Sequence, residues 1–289
     1  MSATYSHKKS SSTGDRIAFV AAWGTALLLS AVFAWLIADI VIGGLSQWSP
    51  SFFLDSPSRA GREGGIAPIL VSTLLILLVC LCASVPIGIA TALFLSELSS
   101  ADSPAGRITR LSLDVLAGVP SIVFGLFGNA FFCVALGMGF SILSGGLTLA
   151  CMVLPIFIRS VEMGLRSVPD DYRRAGAALA LSKTRLIVSV LLPAAAPGIV
   201  AGLLLGIGRA MAETAALIFT SGYVDRMPES LMDSGRALSI HIYDLALNVP
   251  GGEKNAYATA LVLVGVLLVI NLATNLLVER FVSQRLQRA

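Results

Sequence analysis

The chain has 289 residues, 56% of them apolar and only 13% charged, with a mean hydropathy of +0.85. Soluble domains carry about a quarter charged residues, so this composition excludes an ordinary soluble enzyme and a disordered chain. A formal net charge of +3, from 20 Lys+Arg and 17 Asp+Glu, is too small and too dispersed for nucleic-acid binding. Cys80, Cys82, Cys133 and Cys151 all lie in apolar runs and read as small buried hydrophobes rather than disulfides. His7 and His241 form no Cys/His cluster, so no metal site is expected. The chain reads as an all-α integral membrane protein.

A polar tail, residues 1–16, carries Lys8, Lys9 and Arg16. A bilayer core needs roughly 20 apolar helical residues to cross it. Six segments qualify: about 17–42, 66–95, 110–138, 141–165, 186–219 and 257–278. The apolar run from Ile17 to Leu45 is too long for a cleaved signal peptide and reads as a retained span. Outer-membrane barrels show period-2 alternation in short units, and none is present. The expected organisation is a tail at 1–16, a membrane domain at 17–280 and a second tail at 281–289.

Six spans put both ends on one side, together with the loops 97–110 and 159–185. That side gathers Lys8, Lys9, Arg16, Arg107, Arg110, Arg159, Arg166, Arg173, Arg174, Lys183, Arg185, Arg280, Arg285 and Arg288. The other side holds Arg59, Arg62, Arg226, Arg236 and Lys254. The positive-inside bias therefore places both termini in the cytoplasm of a cell (inner) membrane. Pro86, Pro120, Pro155, Pro193 and Pro197 interrupt the spans, and glycines such as Gly202, Gly206 and Gly208 accompany them. Small residues allow close helix packing in lipid, while prolines mark kinks or a lined pathway. Both readings are compatible.

Near the end of the fourth span stand Arg159, Glu162 and Arg166. Arg159 reads either as a positive-inside anchor or as an anion contact near the exit. Asp114 has Arg110 four residues before it, a spacing that suits a structural ion pair. Asp39 reads as an interfacial residue. The soluble stretch from Arg166 to Pro193, RSVPDDYRRAGAALALSKTRLIVSVLLP, begins with Ser167, Pro169, Asp170 and Asp171, a helix start. Small and apolar residues follow between flanking cations. Such a helix either lies in the headgroup region or presents small side chains to a cytoplasmic partner.

Arg209 stands near the middle of the fifth span, with Glu213 and Thr214 just beyond. A charge at the bilayer centre costs roughly 2.5–3.5 kcal/mol on insertion scales, so it marks a bundle interior or a pathway. Four-residue spacing puts Arg209 and Glu213 on one helix face, where they can pair. The pair serves either as a structural lock or as a recognition site in which guanidinium meets an oxyanion. Farther on, the loop from Ser221 to Tyr257 carries Asp225, Glu229, Asp233, Asp244 and Glu253, more acids than bases. Leu231, Leu238, Ile242 and Leu245 have the spacing of an amphipathic helix along the membrane face. This loop reads as a protein-contact surface or as a plain connector.

Ser182-Lys183-Thr184 lacks the glycines of a P-loop, and no zincin helix or nucleophile elbow is present. Neither a nucleotide site nor a catalytic centre is therefore expected in this chain.

The stretch from Arg166 to Pro193 is similar to the cytoplasmic loop motif of ABC importer permeases. In that motif Glu-Ala-Ala is followed by three residues, Gly, nine residues, Ile, one residue and Leu-Pro. Ala175 matches the first alanine, Val190 the isoleucine and Leu192-Pro193 the terminal pair. Arg174 takes the glutamate position, Gly176 the second alanine and Ala180 the glycine. AGVPSIVFGLFG (Ala117 to Gly128) resembles a signature of the phosphate permeases PstA and PstC, and GIVAGLLLGIGRAMAETAALIFTSG (Gly198 to Gly222) resembles their fifth span. FFLDSPSRAGREGGI (Phe52 to Ile66) and SIHIYDLA (Ser239 to Ala246) look like the PstA branch.

This resemblance implies a six-helix type I ABC importer permease with a cytoplasmic coupling helix within 166–193. It implies a PstC-like permease as heterodimer partner and two copies of a cytoplasmic ATPase that binds the ATP. An extracytoplasmic phosphate-binding protein would deliver the substrate. Arg174, Ala175, Gly176, Ala177, Ala180 and Pro193 would form the ATPase contact, and Arg209, Glu213, Thr214 and Arg159 the phosphate path. The nearest alternatives are another oxyanion (phosphonate or sulfate) with the same fold, or a self-sufficient channel or secondary carrier.

Overall fold

The computed structural model describes residues 13–99 and 103–286, with side chains from 14 to 276. Lys8, Lys9 and Arg288 lie outside the described residues, as do the side chains of Arg280 and Arg285. In chain order come α1 (Thr13–Leu45), α2 (Pro50–Leu54), an antiparallel pair β1 (Pro57–Ser58) and β2 (Glu63–Gly64), and α3 (Ala67–Leu93). Next are α4 (Pro104–Ala117), α5 (Ser121–Gly128), α6 (Ile142–Arg166), α7 (Asp170–Ala178), α8 (Lys183–Leu186) and α9 (Leu192–Ala194). The chain continues through α10 (Ala196–Ala212), α11 (Ala215–Ile218), α12 (Leu238–Leu247) and α13 (Glu253–Leu286). Helices α1 and α13 reach past the expected spans, into the segments read as tails.

Among the described residues, four helices are long and apolar enough to cross a bilayer: α1, α3 with its extension to Leu98, α6 and α13. The other two expected spans are broken. The 110–138 segment divides into α4 and α5 with its continuation to Ala135, bent by 104°. Its corner is Gly118-Val119-Pro120: the proline has no N–H to donate and disfavours helix at Val119. The 186–219 segment bends by 66° between Lys183–Ala194 and Ala196–Ala212, around Pro193 and Pro197. With each bent pair taken as one span, the described residues hold up to six.

Small residues set the packing. Gly164 and Gly198 bring α6 and α10 so close that a Cβ on Gly164 would lie 2.8 Å from the Gly198 Cα. One turn on, Gly202 faces Phe157 and Ser160, and Ser160 Oγ donates to the Gly198 carbonyl at 2.9 Å. Gly88 of α3 receives the Phe157 ring of α6. These contacts build one core around α3, α6 and α10, with Phe157, Leu149 and Leu165 fully enclosed. Gly43 and Gly44 press the far end of α1 onto Tyr257 and Leu261 of α13, where the Tyr257 hydroxyl donates to Asp39 at 2.9 Å. Elsewhere α1 leaves Phe19, Trp23, Phe33 and Trp35 exposed.

A second, smaller core closes the end of the bundle opposite α7. Phe52 of α2, Ile66, Ile69, Leu238 of α12, and Ala258 and Val262 of α13 meet there. Arg59, Ala60 and Gly61 all have positive φ (49°, 59° and 85°), which turns the β1–β2 connection sharply inward. A Cβ on Gly61 would meet the His241 ring at 2.7 Å, and Asn255 Nδ2 donates to the Gly61 carbonyl at 2.8 Å. The expected amphipathic helix is α12, which starts at Leu238. Leu231 lies before it, in a segment whose carbonyls at Leu231 and Asp233 accept the first amides of α6.

Candidate functional site

Two regions collect the sequence-predicted residues: the break that follows α10, and the end of the bundle that carries α7. At the first, α10 stops at Ala212 and Glu213 adopts an extended backbone (φ −75°, ψ 126°). Thr214 then starts the short helix α11 as its N-cap residue. Glu213 Oε1 accepts the Ala216 amide at 3.1 Å, and the Glu213 carbonyl accepts Ser239 Oγ of α12 at 2.6 Å. The expected Arg209–Glu213 pair is absent among the described ion pairs, because four-residue spacing brings side chains together only along a continuous helix. Half-buried Arg209 sits in the last turn of α10 with its Nε buried and, among the described residues, without a hydrogen-bond partner. Carbonyls at a helix C-terminus favour a cation there. An irregular backbone at membrane depth survives where protein encloses it or a cavity is lined.

Helix α5 supports that break from the side. Gly125 lets Ala216 approach to 2.8 Å of where a Cβ would lie, and Gly128 makes room for Thr148 and Thr220. Asn129 Nδ2 donates to the Phe219 carbonyl at 2.8 Å. The stretch from Ala117 to Gly128 thus supplies the corner and the two glycines against which α11 rests. Beside α5 opens an apolar groove of about 520 Å³ lined by α3, α4, α5 and α6, with Phe124, Phe127 and Leu154 on its walls.

At the α7 end, acids and arginines interlock. Arg110 reaches Glu162 of α6 at 3.4 Å and the Leu95 carbonyl at 3.1 Å, while Arg166 reaches the same Glu162 at 2.8 Å. Asp114 pairs with Arg159 rather than with Arg110. The expected pairing within α4 is therefore replaced by pairs from α4 to α6. Arg173 forms a bidentate pair with Glu97, just past α3, at 2.7 and 3.1 Å. That hydrogen-bonded carboxylate holds the Arg173 guanidinium above its ordinary pKa. Glu97 closes an apolar run, and sequence spacing gives no hint of its partner 76 residues away.

Helix α7 itself buries only Gly176 among its residues. Ala175, Ala177, Ala178 and Ala180 are exposed, Leu179 is 73% exposed, and Arg174 pairs with Asp171 at 2.6 Å on the open side. The Leu181 amide donates to the Gly176 carbonyl and the Ala180 amide to that of Ala177, each at 3.0 Å, a Schellman ending. Ala180 consequently takes a left-handed backbone, φ 52°. The aligned ABC importer motif has glycine at this position, where a left-handed conformation is free of a Cβ clash. At Gly176 a Cβ would meet Leu186 Cδ1 at 2.6 Å, so glycine here lets α8 fold back onto α7. Pro193 lies in α9, at the 66° bend into α10.

A model of the family described as binding-protein-dependent transport system inner membrane components matches residues 84–287. The chain belongs to this family. It is 32% identical to a probable ABC transporter permease protein, YqgI, of Bacillus subtilis, over 86% of this chain and 89% of that one. With the phosphate transport system permease protein PstA 1 of Mycobacterium tuberculosis it shares 37% identity, over 78% of this chain and 72% of the relative. PstA of Mycobacterium leprae is 34% identical over 86% and 83% of the two chains.

Among solved structures, the fold is similar to a chain of a bacterial ABC transporter for import of the acidic polysaccharide alginate. That likeness has a TM-score of 0.63 at 13% identity and covers 92% of this chain and 97% of the other. A chain of the MetNI methionine ABC transporter, in an inward-facing conformation, gives 0.58 at 17% identity, over 75% and 94%. The expected type I importer bundle is borne out, and the chain is a multi-pass membrane component of a transport system. Membership implies, in general terms, a substrate-binding protein and an ATPase as partners.

Proposed function

We propose that this chain is the permease subunit of an ATP-driven phosphate importer and forms the transmembrane path together with a PstC-like permease. The observation that carries the reading is Arg209: a cation at membrane depth, unpaired with Glu213, beside a helix break. Relatives named as phosphate permeases align along most of the chain and supply the substrate class. A planar guanidinium matches two phosphate oxygens at once, and charge-assisted hydrogen bonds replace the lost water. Glu213 and Thr214 shape the mouth of the break, with Glu213 fixing α11 so that Arg209 stays free for the anion. Arg159 serves as a second contact near the exit by exchanging Asp114 for phosphate.

Helix α7 faces the cytoplasm in this reading, in line with the basic residues around it, and both chain termini lie on that side. Its exposed small residues and Leu179 dock into one of two ATPase copies, with Arg174, Ala175, Ala177 and Ala180 at the contact. Gly176 and Pro193 set the pose of α7 and the bend behind it. Those ATPase copies bind and hydrolyse ATP, and this chain holds no cofactor. At the opposite end, the segment from Ser221 to Tyr257 receives a phosphate-loaded binding protein. Radiolabelled phosphate uptake in a transport-deficient host given the whole transporter, with sulfate as control, tests the reading. Restored phosphate uptake with no sulfate uptake supports it, and sulfate uptake without phosphate uptake overturns it.

A further inference from the structure

Helix α7 has almost no apolar purchase on the membrane helices, since Gly176 is its one buried residue and that glycine rests on Leu186 of α8. A displacement of α7 nevertheless has a direct route into the bundle, through one side chain. Arg173 Nε and Nη2 hold the two carboxylate oxygens of Glu97 at 3.1 and 2.7 Å. Nη2 also donates to the Leu165 carbonyl and Nη1 to the Val168 carbonyl, each at 3.0 Å, and Nη1 reaches Asp170 at 3.1 Å. Glu97 lies in the π-helical turn Phe94–Leu98 that ends α3, and Leu165 lies in the last turn of α6. Three helices therefore meet at one guanidinium. The side chains of Arg173 and Glu97 are 26% and 12% exposed, so water screens this pair less than the open Arg174–Asp171 pair beside it.

We infer that Arg173 is a positioning residue that transmits movement of α7 to α3 and α6, clamping Glu97 and the end of α6 so that all three shift together. The inference rests on the proposed docking of α7 with an ATPase. It assigns the mechanical link to a side chain on the inner side of α7, away from that contact. Only a planar fork with several donors can hold a carboxylate and two carbonyls in one pose; a lysine would satisfy part of the set.

The test uses the complete transporter in proteoliposomes, with the Glu97→Gln and Arg173→Lys single variants and the double variant. Three quantities are read: ATPase co-purifying with the permease, a Leu179→Cys crosslink to the ATPase, and phosphate moved per ATP hydrolysed. Each single variant is expected to keep the co-purification and the crosslink. Phosphate moved per ATP should fall about tenfold, the effect of losing one charge-assisted hydrogen bond. The double variant should fall no further than the worse single, because both changes break one link. A wild-type ratio in both singles overturns the assigned role of Arg173. So does a loss of assembled complex with a normal ratio in what assembles, since that assigns a purely structural role. Absence of the Leu179→Cys crosslink in otherwise wild-type transporter overturns the docking reading instead, which separates the two failures.

Discussion

Arg209 and Glu213 stand four residues apart and do not pair: the backbone turns extended at Glu213, and its carboxylate caps the Ala216 amide instead. The first expected outcome follows from that geometry. Glu213→Ala removes a helix cap and should cost about 1 kcal/mol, whereas Glu213→Gln keeps an oxygen acceptor and should cost less. Thermal unfolding of the purified transporter checks the order. Because no ion pair joins the two, neutralising Glu213 should not rescue the uptake lost in Arg209→Gln.

Ala180 occupies the left-handed position at the end of α7. A Cβ in that conformation costs roughly 1–2 kcal/mol, part of which glycine gives back through its greater freedom in the unfolded chain. Ala180→Gly should therefore stabilise the α7–α8 turn by about 0.5–1 kcal/mol. Slower amide exchange at Ala180 and Leu181, whose N–H groups close the turn, is the expected readout.

Gly164 and Gly198 touch backbone to backbone, so neither neighbour can yield as a flexible side chain would. Gly198→Ala should destabilise the α6–α10 contact by about 1–3 kcal/mol through overpacking. A Cβ on Gly208 would meet nothing beyond its own helix within 4 Å among the described residues, and Gly208→Ala should be tolerated. Yields and melting temperatures of the two variants should differ accordingly.

His241 is buried against Gly61, and burial, reinforced by the nearby Arg236 charge, lowers its pKa to about 4. Its Nδ1 faces Arg236 Nη1 at 3.4 Å and so acts as the acceptor of the neutral ring. The unfolded chain binds the proton near pH 6.5 and the folded one near 4. Stability of this end is thus complete above about pH 6.5 and lost as pH falls toward 4. Hydrogen exchange of residues 57–66 and 238–247, corrected for intrinsic rates, should quicken between pH 7 and pH 5. His241→Asn should remove that dependence.

Long apolar runs gave away the spans, because a bilayer demands length and hydropathy and little else. The breaks were harder to place. Pro86 and Pro155 remain inside α3 and α6, whereas Pro120 follows Gly118 and Val119 at a corner of 104°. A proline at membrane depth ends a helix only where its neighbours also give way. The site was half legible: Arg209 announced itself by the cost of a charge in an apolar run. Its supposed pairing with Glu213 assumed a helix that stops one residue too soon. Spacing alone pairs Arg110 with Asp114, but α4 packs so that each finds a partner on α6. Pairs such as Arg173 with Glu97 join segments that only the tertiary fold brings together, and no periodicity encodes them.

Uptake per assembled transporter is the measurement that decides whether Arg209 binds phosphate in the path. A hydrogen bond to a charged group contributes about 1.5–3 kcal/mol, so Arg209→Gln should slow phosphate uptake by about one to two orders of magnitude. Arg209→Lys should recover only part of the rate, since it keeps the charge without the planar fork. Near-normal phosphate uptake in Arg209→Gln, at a wild-type level of assembled transporter, would remove Arg209 from phosphate recognition.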